Sequence, residues 1–130
     1  MKNKNQDTLV FWNLARKYLH MYLVHVTDRS PETIKAYKLS IENYIEFINF
    51  KYQIDKKDIS FDSFSRDKYE EFIIWLKENK KLCNKSINLK TTAIRSFLKF
   101  AGEEDIELMK FYLEIYPIRT LKVQKNQLNI

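Results

Sequence analysis

Between residues 80 and 102 lie six cations and no acid: Lys80, Lys81, Lys85, Lys90, Arg95 and Lys99. This stretch carries a charge of +6, equal to the balance of the whole 130-residue chain. Positive charge concentrated along one element is the footprint of phosphate binding. The spacing is informative too. Asn88, Thr92, Arg95 and Lys99 recur at offsets of four, three and four, a helical stripe that Lys85 extends one turn back. In such a stripe Asn and Arg suit base edges, while Lys and Thr suit phosphates. The competing reading is an ordinary solvated helix face.

Other chemistry is not indicated. His20 and His25 stand five apart, do not share a helix face and have no clustered carboxylates, so no metal site and no cofactor is expected. Cys83 is the single cysteine, which excludes an intramolecular disulfide and fits a reducing compartment. Its neighbours Lys81 and Lys85 favour the thiolate, but no base stands nearby and it reads as a loop cysteine. No general acid–base pair is signalled, and an RNA-stacking module is disfavoured because nearly every aromatic falls at core spacing.

Helices must position the cationic stripe. One Gly and two Pro leave little material for hairpin turns, which argues against a sandwich, a barrel or a Gly-rich phosphate loop. Hydrophobic residues at 45%, with 15% aromatic, exclude a disordered chain and support one core. The longest fully apolar run, Phe72 to Leu76, is far short of the roughly 20 residues that span a bilayer. No apolar stretch precedes residue 9, so the N-terminus does not read as a signal peptide. A soluble, cytoplasmic protein is expected.

Five helices are predicted. The first covers about Leu9 to Val26, with Phe11, Leu14, Tyr18, Tyr22 and His25 on one face. The second starts at Ser30-Pro31-Glu32, a cap, a first-position proline and a helix-start acid. Its inward stripe is Ile34, Tyr37, Ile41, Tyr44, Ile45 and Ile48. Residues 51–64 form a connector anchored by Ile59 and Phe61. A third helix starts near Ser65 and turns Tyr69, Phe72, Ile73 and Leu76 inward. The fourth runs from about Lys85 to Ala101, with Ile87, Thr91, Ile94, Leu98 and Ala101 inside and Gly102 as a left-handed cap. A fifth covers about Glu104 to Tyr116. The expected layout is a disordered terminus over 1–7, a helical domain over 8–117 and a linker or tail over 118–130.

Two stretches resemble a known family. Ser30-Pro31-Glu32-Thr33-Ile34-Lys35-Ala36-Tyr37, followed by Leu39, Ile41, Tyr44, Phe47 and Ile48, resembles the opening of the core-binding domain of tyrosine recombinases and phage integrases. Ser86-Ile87-Asn88-Leu89 with Ala93-Ile94-Arg95-Ser96-Phe97-Leu98-Lys99-Phe100-Ala101 resembles that family's second signature. The resemblance covers about residues 8–116. It implies an all-α, SAM-like bundle of four to five helices forming half of a clamp around double-stranded DNA. Its second and fourth helices would face the major groove. Carried over, this points to Thr33, Lys35 and Lys38, and to Lys85, Asn88, Thr92, Arg95 and Lys99.

Two features depart from the family pattern. Thr91 stands at an inward position usually aliphatic, and Glu42 and Glu46 make the outer side of the second helix weakly acidic.

The resemblance further implies a non-catalytic domain. The family's catalytic set of two Arg, a Lys, a His, a second His or Trp, and a nucleophilic Tyr belongs to a following domain and has no counterpart here. None of the eight Tyr is offered as the nucleophile, and residues 118–130 read as the start of the inter-domain linker. The first helix carries surplus apolar residues (Val10, Leu19, Leu23, Val26). So does the fifth (Ile106, Leu108, Met109, Phe111, Tyr112, Leu113, Ile115, Tyr116). They serve either a core on two sides or contacts between protomers on DNA. A helical protein-interaction or dimerisation module without DNA binding is the alternative from another class.

Overall fold

The computed structural model describes residues 4–123. Among them the fold is all-α, five α-helices with π and 3₁₀ turns between them and no strand. The first helix, α1, spans Lys4–Lys17. It begins ahead of the expected Leu9, and residues 4–7 are helical. Asn5, Gln6 and Asp7 carry no apolar stripe to mark that turn, while Asp7 complements the positive helix end.

α1 continues into a π-helical stretch, Tyr18–Val26. Its wider turn buries Tyr18 and Leu23, five residues apart, together with Leu19. The Thr27 N–H donates to the Tyr22 carbonyl at 3.0 Å, closing a π turn. His25 is therefore exposed, not on the inward face that a 3.6-residue period assigns it.

The next helix, α2, spans Pro31–Tyr52 and starts as its sequence dictates. The Thr33 N–H donates to the Ser30 hydroxyl at 3.2 Å. Ile41, Tyr44, Ile45 and Ile48 are buried along its inner face. Two 3₁₀ turns follow, Lys56–Asp58 and Phe61–Phe64, and Ile59 and Phe61 anchor the connector as expected. Phe64 joins them and stacks on Tyr44 at 4.3 Å. α3, Arg66–Glu78, is capped by Ser65 and buries Tyr69, Phe72, Trp75 and Leu76.

The central element is α4, Asn84–Glu104. Ile87, Ile94, Leu98 and Ala101 face the core, and Phe97 lies among Phe11, Phe61 and Phe64. Thr91 is buried too, but its hydroxyl donates to the Asn88 carbonyl at 3.2 Å, which removes the cost of a polar group inside. Gly102 is not a left-handed cap. It lies inside the helix and has no positive φ. Its use is close approach, since a Cβ there would stand 2.8 Å from the Met109 Cα. The chain turns at Asp105, whose carboxylate accepts from the Glu107 N–H, and passes through the 3₁₀ turn Ile106–Leu108 into α5, Met109–Ile115.

Of the surplus apolar residues, Leu19, Leu23, Leu108, Phe111 and Ile115 are spent on this core. Val26, Ile106, Leu113 and Tyr116 remain exposed. After α5, Ile118 and Leu121 still pack against the core. Residues 124–130 of the expected tail, and residues 1–3, lie outside the described residues. Among the described residues no helix is long and apolar enough to cross a membrane.

Candidate nucleic-acid interface

The residues of the cationic stretch meet different fates. Lys85, Thr92 and Lys99 are exposed along the outer row of α4, and neither lysine forms an ion pair with a described residue. Lys81 is exposed in the loop before the helix, with a left-handed φ of 58°. Lys80 is occupied. It pairs with Glu46 at 2.8 Å and lies over the Trp75 ring. Lys90 is half-buried, and burial, with Lys80 as a lesser cause, pulls its pKa below the ordinary lysine value. Lys81, Lys85 and Lys99 are thus the exposed, unpaired lysines of the acid-free stretch.

Asn88 and Arg95 fall in the same sequence stripe, yet both are half-buried and engaged. Asn88 Nδ2–H donates to the Leu121 carbonyl at 2.7 Å, and the Leu121 N–H donates to Asn88 Oδ1 at 2.8 Å. The carboxamide thus pairs with the backbone of Leu121 as another peptide would. Arg95 Nε–H donates to the Tyr69 hydroxyl at 3.0 Å. Nε is only one of the guanidinium donors, and those on the two Nη atoms stay available to a further acceptor.

On α2 the expected residues also divide. Thr33 is tied to the cap, its hydroxyl accepting from the Ser30 hydroxyl at 3.0 Å. Lys35 is exposed. Lys38 borders a groove lined by Trp12, Ala15 and Leu19 from the first helical segment and by Ile41 and Ile45 from α2. No described residue of α4 lines that groove, so Lys38 belongs to the α1 side of the bundle.

Two neighbours of the candidate residues are not evident from the sequence. Tyr69 was counted only as core, and at 2% exposure it is core, but its hydroxyl also holds Arg95. Arg29 precedes the Ser30-Pro31 cap and belongs to no stripe. Its charge is felt at the Tyr18 hydroxyl, which donates to Ser96 on α4 at 2.6 Å. The Tyr18 pKa is raised by burial, and the Ser96 bond opposes that only in part, so the phenol stays a neutral donor. Arg29 thus lies within electrostatic reach of the Tyr18–Ser96 bond.

Among the described residues no group of His, Cys, Asp and Glu is arranged to hold a metal ion. Cys83 is exposed, and the Ser86 hydroxyl beside it lowers its pKa. Tyr18, Tyr44 and Tyr69 are buried in the core.

A family model described as phage integrase, N-terminal SAM-like domain, matches residues 17–105, more than half of the chain. That span runs from the last residue of α1 to the turn after α4 and includes both stretches of the resemblance. No curated protein and no solved structure matches the chain.

Proposed function

The chain belongs to the phage integrase N-terminal SAM-like domain family, and from that membership we propose that it holds duplex DNA for a site-specific tyrosine recombinase. The observation that carries this reading is the outer row of α4, where Lys85 and Lys99 are exposed and unpaired on a helix whose acid-free stretch lies within the family match. Docking is electrostatic. Lys81, Lys85 and Lys99 neutralise phosphates, with Lys35 contributing from α2, and counterion release supplies the affinity. Thr92 adds a hydroxyl on the same row. Arg95, held at Nε by Tyr69, offers its Nη edge to a base or a phosphate. Strand exchange is assigned to a catalytic domain outside this sequence, and the reading places the protein in the cytoplasm with DNA. On that DNA, the exposed Ile106, Leu113 and Tyr116 are the surface offered to a neighbouring protomer.

Fluorescence anisotropy on duplex DNA across a salt series tests the reading. The Lys85→Ala/Lys99→Ala double variant is expected to weaken binding on all sequences. It should also flatten the slope of log K against log salt by about 1.8, at about 0.9 per phosphate contact. Arg95→Ala is expected to relax base preference, a bidentate base contact being worth about 1–3 kcal/mol. Unchanged binding in both variants removes the assignment of this face. A helical interaction module without DNA binding predicts that result.

A further inference from the structure

We infer that Asn88 does not read bases but positions the segment after α5, so that Arg119 and Lys122 extend the phosphate-binding row of α4. The inference rests on the DNA-binding reading above and assigns it a second strip of surface.

The observations are the bonds that hold this segment. Asn88 satisfies both the N–H and the carbonyl of Leu121, at 2.8 and 2.7 Å. One turn earlier, Asn84 Nδ2–H donates to the carbonyl of Lys122 at 2.9 Å. The Leu121 and Ile118 side chains pack against the core. Two asparagines on one flank of α4 thus grip consecutive peptide units, and an apolar side chain is tucked beneath them. A carboxamide that spends one N–H and one oxygen lone pair on a backbone pair has used the two-point edge that a bidentate base contact needs. Freeing it means breaking two bonds and uncovering Leu121.

The consequence is a placement of charge. Arg119 and Lys122 are exposed, and no ion pair joins them to a described residue. The Asn84 bond sets the Lys122 backbone beside the start of α4, where Asn84 adjoins Lys85 in the chain and the loop carrying Lys81 precedes the helix. Without these bonds the cations of the segment would have no fixed relation to the helix. Latched, it makes Lys81, Lys85 and Lys122 one patch at the beginning of the α4 row, with Lys99 further along. The ligand chemistry is the phosphate backbone of a duplex, read without sequence information.

The experiment combines amide exchange with a mutant cycle on the full chain, using a duplex oligonucleotide as probe. In the free protein the Leu121 amide is expected to be protected, and Asn88→Ala should expose it. On DNA, Arg119→Ala/Lys122→Ala should flatten the salt slope by about 1.8. Both residues are exposed, so this variant is expected to stay close to the parent stability. Asn88→Ala should weaken binding when the two cations are present and have no further effect when they are absent.

Three results overturn the inference. One is loss of Leu121 protection when DNA is added, which means that the segment is displaced. The second is a further loss from Asn88→Ala in the charge-deleted background, which means that Asn88 itself touches DNA. The third is an unchanged slope in Arg119→Ala/Lys122→Ala. If Lys85→Ala/Lys99→Ala still flattens the slope in that case, only this strip is wrong. If neither variant does, the DNA-binding reading falls and takes the strip with it.

Discussion

On the outer row of α4, Lys85, Thr92 and Lys99 end in solvent, while on the adjoining flank Asn84, Asn88 and Arg95 each end on a partner. Both groups are polar, both lie away from the Ile87–Ile94–Leu98 core line, and a helical period cannot tell them apart. The difference comes from the rest of the chain. Arg95 is held from 26 residues away by Tyr69, and Asn88 from 33 residues away by Leu121. The flank is where the bundle closes over α4, and the row is where it does not. A binding surface on this helix is therefore narrower than its polar face, and substitutions around the helix should report three separate behaviours.

The inner line sets the scale. Ile94 is fully buried, and Ile94→Ala is expected to cost about 2–5 kcal/mol of stability in urea unfolding. A cost below about 1 kcal/mol would show that the core repacks around α4 and that its faces are less distinct than described. Gly102→Ala comes next. The substitution gains about 1 kcal/mol of helix propensity, but the new Cβ meets the Met109 backbone at 2.8 Å, with the Met109 sulfur equally near. Backbone cannot swing aside as a side-chain tip does, and overpacking costs about 1–3 kcal/mol. The expected result is a lower Tm. A higher Tm would mean that the corner from α4 into α5 yields at little cost.

The engaged flank is tested by Tyr69→Phe. The ring stays in the core and only the hydroxyl that accepts from Arg95 is lost, at about 1 kcal/mol. Because Arg95 is half-buried, water recovers part of the bond and keeps the loss small. A double-mutant cycle with Arg95→Ala should return a coupling of at least about 0.5 kcal/mol, as residues in contact do. Zero coupling would move Arg95 from the flank to the open row.

What the sequence made legible follows the range of each interaction. The start of α2 was readable because Ser30, Pro31 and Thr33 act within one turn, and the buried line of α4 because its 3.6-residue period is local. The family signatures span these same elements, and the matched residues 17–105 contain them. The π-helical stretch was not readable, since His25 fits a 3.6-residue stripe and only the wider turn exposes it. Gly102 suggested a cap because its true reason, Met109 across the corner, lies in the next helix. The placement of the candidate residues was half legible for the same cause. Charge located the helix, but nothing near Asn88 or Arg95 in the chain shows that each is already engaged.

The smallest effects belong to the open row, and they separate it most cleanly from the flank. Thr92→Ala and Lys99→Ala remove groups that touch no other described side chain through a hydrogen bond or an ion pair. Surface changes of this kind fall within about 0.5 kcal/mol of neutral. Neither should shift the urea midpoint measurably, whereas Tyr69→Phe should. If the row binds DNA, the same Lys99→Ala should still weaken anisotropy on duplex DNA and flatten its salt slope by about 0.9. Stability and binding then part company at Lys99 but not at Tyr69. The opposite pattern, a destabilised Lys99→Ala with unchanged binding, would mean that the outer row carries fold and not function, and the distinction between row and flank would collapse.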